Sequence, residues 1–259
     1  MQLRREHTEP HQVGGVHPLC RLVSMCLSTK KGLVPRLPRA GLHWAALIPL
    51  LCLPGPLISQ STGTIGDHSR ALERSGQLLF ERGVLLCQRE AAADKREALS
   101  LFLRAAEDFK AAAAVGKQAT AILMAGFASK SLSEDREALG YFKNALLLFQ
   151  RAKHHPGEID ALIQIGVAHY HLGELDEALV QLNQALELSR KLRERRGSAN
   201  ALCVIAQVHI AKKELQRAID VYKEALPMLR ALDDREAEAR AVSNLQLITA
   251  ELNQQKSKN

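Results

Sequence analysis

The sequence has few aromatic residues and none of the common nucleotide-binding or hydrolytic motifs. Aromatic residues make up 4% of the 259 residues. A core built mainly from alanine and leucine suits closely packed helices better than a sheet. No stretch matches G-x-x-x-x-G-K-[S/T], G-x-G-x-x-G, H-E-x-x-H or G-x-S-x-G. We therefore predict that the protein is not an enzyme and has no catalytic residue and no cofactor.

The cysteines lack the spacing of a metal site or a disulfide framework. There are five of them, and no C-x-x-C pair occurs. Cys87 and Cys203 lie on predicted helices that are too far apart along the chain for a bridge. We expect free thiols and no metal site.

Positive charge is concentrated at the amino-terminal end of the chain. The net charge is +7, but residues 1–61 contain seven basic and two acidic residues, which leaves 28 basic and 26 acidic residues in the rest. A nucleic-acid-binding domain carries a basic stripe on its folded part. We therefore expect no nucleic-acid partner.

Residues 1–61 have the composition of a disordered basic leader with a candidate signal peptide. The segment 42–58 is apolar and follows several basic residues, and Ser59-Gln60-Ser61 is a possible cleavage site before Thr62. Prolines interrupt the apolar run, which is short for a membrane span of about 20 residues. We expect export to the periplasm or secretion, and no stable membrane span in the mature chain. The alternative is a cytoplasmic protein with a chance apolar run. Residues 62–67 are predicted to be a linker.

A 40-residue internal repeat organises the remainder, residues 68–259. Small residues recur at two positions of the repeat, and large apolar residues recur at two others. The four columns are Ala98, Ala138, Ala178 and Ala218; Ala105, Ala145, Ala185 and Ala225; Phe102, Phe142, Leu182 and Tyr222; and Leu99, Leu139, Leu179 and Ile219. Small residues in such columns allow two helices to approach closely, and large residues fill the space between them.

Each repeat is predicted to contain two amphipathic helices. Apolar residues follow the spacing i, i+3, i+4, i+7 on both sides of Gly173, which is the predicted turn. We place the units at about 68–117, 118–157, 158–198 and 199–238, with a capping helix at 239–253. The segments 154–157 and 195–198, which contain proline or glycine, are predicted to break the chain between units.

The repeat resembles the tetratricopeptide repeat (TPR). The best copy has Leu162-x-x-Ile165-Gly166-x-x-His169 in its first helix and Ala178-x-x-x-Leu182-x-x-Ala185 in its second. The usual tryptophan and proline are absent. The period of 40 is similar to the repeats of kinesin light chain and of bacterial proteins that carry such repeats before a caspase-like domain. The resemblance implies an all-α, right-handed helical-repeat solenoid with four helix pairs and a carboxy-terminal capping helix.

The resemblance also implies a binding surface on the inward-facing side of the first helices. Stepping by one repeat at a time, we predict that peptide or protein ligands contact Leu123, Phe127, Ile163, Val167, Tyr170, Cys203 and Gln207. TPR proteins that grip a terminal carboxylate use lysine and asparagine where this chain has apolar residues. An amphipathic helix or an extended apolar peptide is the expected ligand. Glutamate at Phe127 or Val167 is expected to abolish binding without unfolding the stack.

Two polar features have simpler structural interpretations. His169 and His209 share one repeat position, where the family has tyrosine, and are expected to pack at the edge of the core. The cations between Arg190 and Arg196 are expected to offset the negative end of a helix dipole, although an anionic partner is the alternative.

The sequence therefore predicts a non-catalytic scaffold for protein–protein interaction. The alternative is a regulatory module that holds or senses a separately encoded enzyme or signalling partner. In either role the partner is a protein or a peptide, and no small-molecule substrate is expected.

Overall fold

A computed structural model describes residues 61–258, which form an all-α helical-repeat solenoid. Predictions on residues 1–60, including the signal peptide and the exported location, concern residues outside this range and stay predictions. The helices are α1 (Ser61–Cys87), α2 (Ala92–Ala111), α3 (Val115–Ser131), α4 (Asp135–Arg151), α5 (His155–His171), α6 (Leu175–Lys191), α7 (Arg195–Ala211), α8 (Leu215–Ala231) and α9 (Arg235–Lys258). They make four pairs and a last helix. We call α1, α3, α5, α7 and α9 the A helices, and the others the B helices.

The backbone of the stack repeats with each helix and the linker that follows it. Helices α3 to α8 are each 17 residues long. Three-residue linkers join them, for example 132–134 and 152–154. Two helices and two linkers account for the 40-residue period of the sequence.

Each of these linkers is closed by the same hydrogen-bonded turn. In the linker after α5, the N–H of Gly173 donates to the carbonyl of Tyr170 at 3.0 Å, and the N–H of Glu174 donates to that of His169 at 2.9 Å. This is the Schellman motif, whose central residue has positive φ. Gly173 has a φ of 79°, and the equivalent residues are Ala113, Ser133, Lys153, Arg193, Lys213 and Asp233, with φ between 50° and 64°. For a non-glycine residue that conformation costs about 1–2 kcal/mol.

The structure places the breaks between units a few residues earlier than predicted. Residues 155–157 and 195–198 form the first turns of α5 and α7, so the predicted boundaries at 157/158 and 198/199 are wrong. Proline is tolerated in a first helical turn because its missing N–H has no helical partner there. Gly157 is required by packing and not by a turn, since a Cβ atom on it would lie 2.5 Å from the Phe149 ring.

Residues 62–67 were predicted to be a linker, but they belong to α1. Gly63 and Gly66 disfavour a helix by about 1 kcal/mol each. Extending an existing helix adds one backbone hydrogen bond per residue, whereas starting one is costly. The part of α1 that packs on α2 therefore supports the turns before it.

Three of the four sequence columns form the core, as predicted, whereas Leu99, Leu139 and Leu179 of the fourth column are only half-buried. The alanine columns that begin at Ala98 and Ala105 are fully buried in all four copies, and so are Phe102, Phe142 and Leu182. Tyr222 is 1% exposed. The small residues bring the A and B helices close together, and the large residues fill the space between them, at the close packing typical of protein interiors.

A polar pair recurs where each A helix turns into its B helix. In every copy a side chain near the end of the A helix contacts an acidic residue five positions later. The pairs are Arg89–Asp94 at 3.8 Å, Ser129–Glu134 at 3.3 Å, His169–Glu174 at 2.5 Å and His209–Glu214 at 2.6 Å. Packing of His169 and His209 at the edge of the core is confirmed.

The A helices form the inner side of the stack. Helix α5 contacts both α3 and α7 directly, whereas no comparable contact joins successive B helices among residues 61–258. Rows of helices that approach more closely lie on the inside of a curved stack, so the stack curves towards the A helices.

Candidate functional site

Three of the seven predicted contact residues lie in the core. Leu123, Phe127 and Ile163 are 3%, 2% and 4% exposed. The Phe127 ring packs edge-on against the Phe142 ring, with centroids 5.5 Å apart. The expectation that these residues are accessible is therefore wrong. Glutamate at Phe127 would bury a charge and unfold the helix pair formed by α3 and α4. The register predicts the direction of a side chain but not how closely neighbouring helices cover it.

The other four residues are at least partly accessible. Val167 and Tyr170 on α5 and Cys203 on α7 are half-buried, and Gln207 on α7 is exposed. Val167, Tyr170 and Cys203 pack on one apolar core cluster, to which Ile163 also belongs. We call Val167, Tyr170, Cys203 and Gln207 the inner-face patch.

The B helix behind the inner-face patch supplies a polar anchor that the sequence did not reveal. Tyr222 lies beside Cys203 and Tyr170, and burial raises the pKa of its hydroxyl to about 12. Its oxygen accepts a hydrogen bond from Asn244 of α9 at 2.9 Å. The tyrosine is therefore neutral at physiological pH. Its hydrogen bond ties α9 to α8, the B helix that packs against α7.

Cys203 contributes apolar surface to the patch and no reactive group. Burial raises the pKa of its thiol to about 11, and the nearby Arg240 only partly opposes this effect. Cys203 therefore stays protonated at neutral pH. Because only the thiolate acts as a nucleophile or a metal ligand, the protonated thiol does neither. Over residues 61–258, no three His, Cys, Asp or Glu side chains are placed to share a metal ion.

Asp160, near the start of α5, has a carboxylate whose ionised form is destabilised by its surroundings. It is half-buried. Burial and, to a smaller extent, the Glu194 carboxylate raise the pKa of its carboxyl group to about 6, and Arg196 partly opposes them. The sequence pattern does not indicate this environment.

We predict that Asp160→Asn stabilises the protein at pH 8 by about 1–2 kcal/mol. The folded chain binds the proton more tightly than the unfolded chain between pH 3.8 and about 6. The free energy of unfolding therefore falls as the pH rises through this window and stays low above it. The full shift would be worth about 3 kcal/mol at about 1.36 kcal/mol per pKa unit, and solvent access reduces it.

Urea denaturation at pH 4 and pH 8 measures this effect. The variant and the parent should differ at pH 8 and agree near pH 4. The exposed Asp220→Asn is the control, with an expected change below about 0.5 kcal/mol. An equal gain for Asp160→Asn at both pH values would show that ionisation of Asp160 is not the cause.

Comparison with known proteins places the repeat in a family. The family model described as tetratricopeptide repeat matches residues 124–191 and 164–231. The two matches are offset by one full repeat, the period found in the sequence. The protein is a TPR-type repeat protein. No curated protein matches its sequence.

Solved structures share the TPR-type fold at low sequence identity. The apo form of RapI has a TM-score of 0.61 and 14% identity, with 71% of each chain covered. Aspartyl phosphate phosphatase F from Bacillus subtilis has a TM-score of 0.63 and 11% identity over 76% of this chain and 52% of that one. BtubC (BKLC) from P. vanneervenii has a TM-score of 0.53 and 13% identity over 77% and 93%. Identities this low show a shared fold and not a shared ligand.

None of the described helices combines the length and the apolar character that a membrane crossing requires.

Proposed function

We propose that this TPR-type protein is a non-catalytic scaffold that binds a peptide or an amphipathic helix on the inner-face patch. The observation that carries the proposal is the patch itself. Val167, Tyr170 and Cys203 present apolar surface from two adjacent A helices, and exposed Gln207 continues the row along α7. An apolar strip with a polar edge suits a ligand with one apolar face.

The rigid core beneath the patch supports this role. Ile163, Leu202 and Ile205 are buried under it, so the surface is formed before a ligand arrives. A preorganised surface loses little conformational entropy on binding. Tyr170 is the expected centre of the interface, because tyrosine is enriched among residues that dominate binding energy.

The test uses a peptide selected from a random library on the full chain, labelled with a fluorophore. Val167→Glu is expected to weaken its binding by about tenfold or more, because it places a charge against apolar ligand surface. Gln207→Arg, at an exposed position where folding is unaffected, is expected to weaken it by about threefold or more. Fluorescence anisotropy gives both dissociation constants, and circular dichroism checks that each variant is folded.

Val180→Glu is the matched control. Val180 is a 54% exposed valine on the outer side of B helix α6, so the same substitution there should leave binding unchanged. If Val167→Glu and Gln207→Arg both bind as the parent does, the inner-face patch is not the binding surface. Loss of binding with Val180→Glu alone would move the site to the B helices.

A further inference from the structure

A second cleft lies away from the inner-face patch, where B helices pass into the next A helices. It has a volume of about 560 Å³. Its walls come from the start of α5, the linker between α6 and α7, the first turn of α7 and the linker after α8. The lining residues are His155, Pro156, Ile159, Leu192, Arg193, Glu194, Arg195, Arg196 and Leu232. We call this the linker cleft, and none of the four inner-face residues lines it.

The carboxylates of Glu194 and Asp233, around the linker cleft, already have partners within the protein. Glu194 accepts hydrogen bonds from the backbone N–H groups of Arg196 and Gly197. Asp233 pairs with Arg235 at 3.1 Å. These bonds already occupy two of the amide groups at the start of α7, those of Arg196 and Gly197.

Two of the three arginines in the linker cleft make no ion pair within the described residues. Among residues 61–258, Arg193 and Arg195 are exposed and have no ion-pair partner. Arg196 is near enough to Asp160 to lower the pKa of its carboxyl group. The lining of the linker cleft therefore carries an excess of positive charge, with three arginines and one glutamate.

The fold does not account for these arginines. Only Arg190 and Lys191 lie in the last turn of α6, where the helix dipole favours cations. Arg195 and Arg196 begin α7, whose first turn has no acidic residue, so the dipole disfavours them. Arg193 has a φ of 55°, a conformation that glycine adopts at lower cost. The expectation that the whole cluster offsets a helix dipole is therefore wrong for Arg195 and Arg196, which lie at the positive end of α7.

Apolar groups complete the cleft. Leu192 is 41% exposed, and Ile159 is buried at the base. Pro156 is exposed and Leu232 is half-buried. Guanidinium groups bind carboxylates through paired hydrogen bonds, and the apolar base suits an aliphatic or aromatic side chain.

We propose that the linker cleft binds an acidic peptide segment of a partner protein, with carboxylates on Arg193 and Arg195 and a large apolar side chain against Leu192 and Leu232. The apolar base favours a peptide over a nucleic-acid backbone. The folded part of the chain also has nearly balanced charge, with 28 basic and 26 acidic residues after residue 61. This site is independent of the inner-face patch.

The test is a titration of the full chain with a labelled peptide of glutamate and leucine, and with the same peptide carrying glutamine for glutamate. The parent should bind the first peptide and not the second. The double variant Arg193→Glu/Arg195→Glu should weaken binding by about tenfold or more, because charge reversal replaces attraction with repulsion. Leu192→Gln, which leaves every charge in place, should weaken binding by about threefold or more.

Arg74→Glu/Arg136→Glu is the matched control, because it changes the net charge equally at two exposed arginines outside the linker cleft. Its affinity should stay within about twofold of the parent. Equal weakening by both double variants would overturn the proposal, since binding would then follow net charge alone. Unchanged binding by Arg193→Glu/Arg195→Glu would also overturn it.

Two further measurements separate this site from its alternatives. Val167→Glu should leave the glutamate–leucine peptide unaffected, so failure of one site is distinguishable from failure of the other. Single-stranded RNA and phosphatidylserine vesicles should bind more weakly than the peptide. Tighter binding of either probe, with the same dependence on Arg193 and Arg195, would assign the linker cleft to that class of ligand and overturn the peptide proposal.

Discussion

Replacing Phe142 by alanine is expected to lower the free energy of unfolding by about 3–5 kcal/mol. The Phe142 side chain is fully buried between helices α3 and α4. Its ring contacts the Phe127 ring and lies over Gly126. Removing it leaves a cavity that the fixed helix backbones cannot close.

Gly126 provides a second variant that tests the same contact from the other side. A Cβ atom on Gly126 would lie 2.5 Å from one ring carbon of Phe142 and 2.7 Å from another. Gly126→Ala alone should therefore cost about 1–3 kcal/mol through overpacking. In the Phe142→Ala background the new methyl group enters the cavity, so the same substitution should be neutral or stabilising.

The matched control is Gly140→Ala on the same helix pair. Gly140 is exposed within α4, and an added Cβ atom would meet nothing within 4 Å. Alanine should raise the stability there by about 0.5–1 kcal/mol, because glycine loses more backbone entropy in a helix. The parent, Gly126→Ala, Phe142→Ala and the double variant form a double-mutant cycle. Chemical denaturation of these four proteins gives the coupling energy between the two positions. Equal effects of Gly126→Ala in both backgrounds would show that the helices do not meet at this ring.

Replacing Pro227 by alanine is expected to raise the free energy of unfolding by about 2 kcal/mol. Pro227 lies inside α8, four residues before its end, and is exposed. A proline in a helix interior removes one backbone hydrogen bond and crowds the carbonyl four residues earlier, at a cost of about 3 kcal/mol. The variant restores the donor to the carbonyl of Lys223. The unfolded chain of the variant has more conformational freedom, and this reduces the gain in stability by about 0.4–1 kcal/mol.

Two variants control the proline prediction. Pro227→Gly restores the same N–H group, but glycine is about 1 kcal/mol less favourable than alanine in a helix, so it should gain less. Leu147→Ala is at the equivalent position of the repeat, where the side chain is 65% exposed. It should change the stability by less than about 0.5 kcal/mol. A loss of stability in Pro227→Ala would show that the proline ring supports packing in α8.

The helices and their core faces could be predicted from the sequence. Alanine at Ala98 and its three equivalents, with a large residue four positions later, marks a face that must lie against another helix. All four of these alanines are fully buried. Periodicity suffices here because side-chain direction in a helix is fixed by position alone.

The junctions between helices could be predicted only where the residue type is unusual. Gly173 was identified as a turn, but Lys153 and Arg193 adopt the same conformation without a sequence signal. Their conformation follows from a hydrogen-bonded turn that closes each three-residue linker. Conversely, Gly157 and Gly197 suggested breaks, although they mark close approach of helices. Residue type alone does not distinguish these two uses of glycine.

The repeat, the helix pairing and the side of the stack on which a ligand could lie all follow from the periodicity of the sequence. Packing in the folded stack sets which side chains on that side are accessible. It buried Phe127 and left Tyr170 partly exposed. It also brought Leu192, Arg195 and Leu232 around one cleft, although these residues belong to different units of the repeat. Periodicity specifies the direction of a side chain, whereas burial and charge depend on the neighbours that the stack brings from distant parts of the chain.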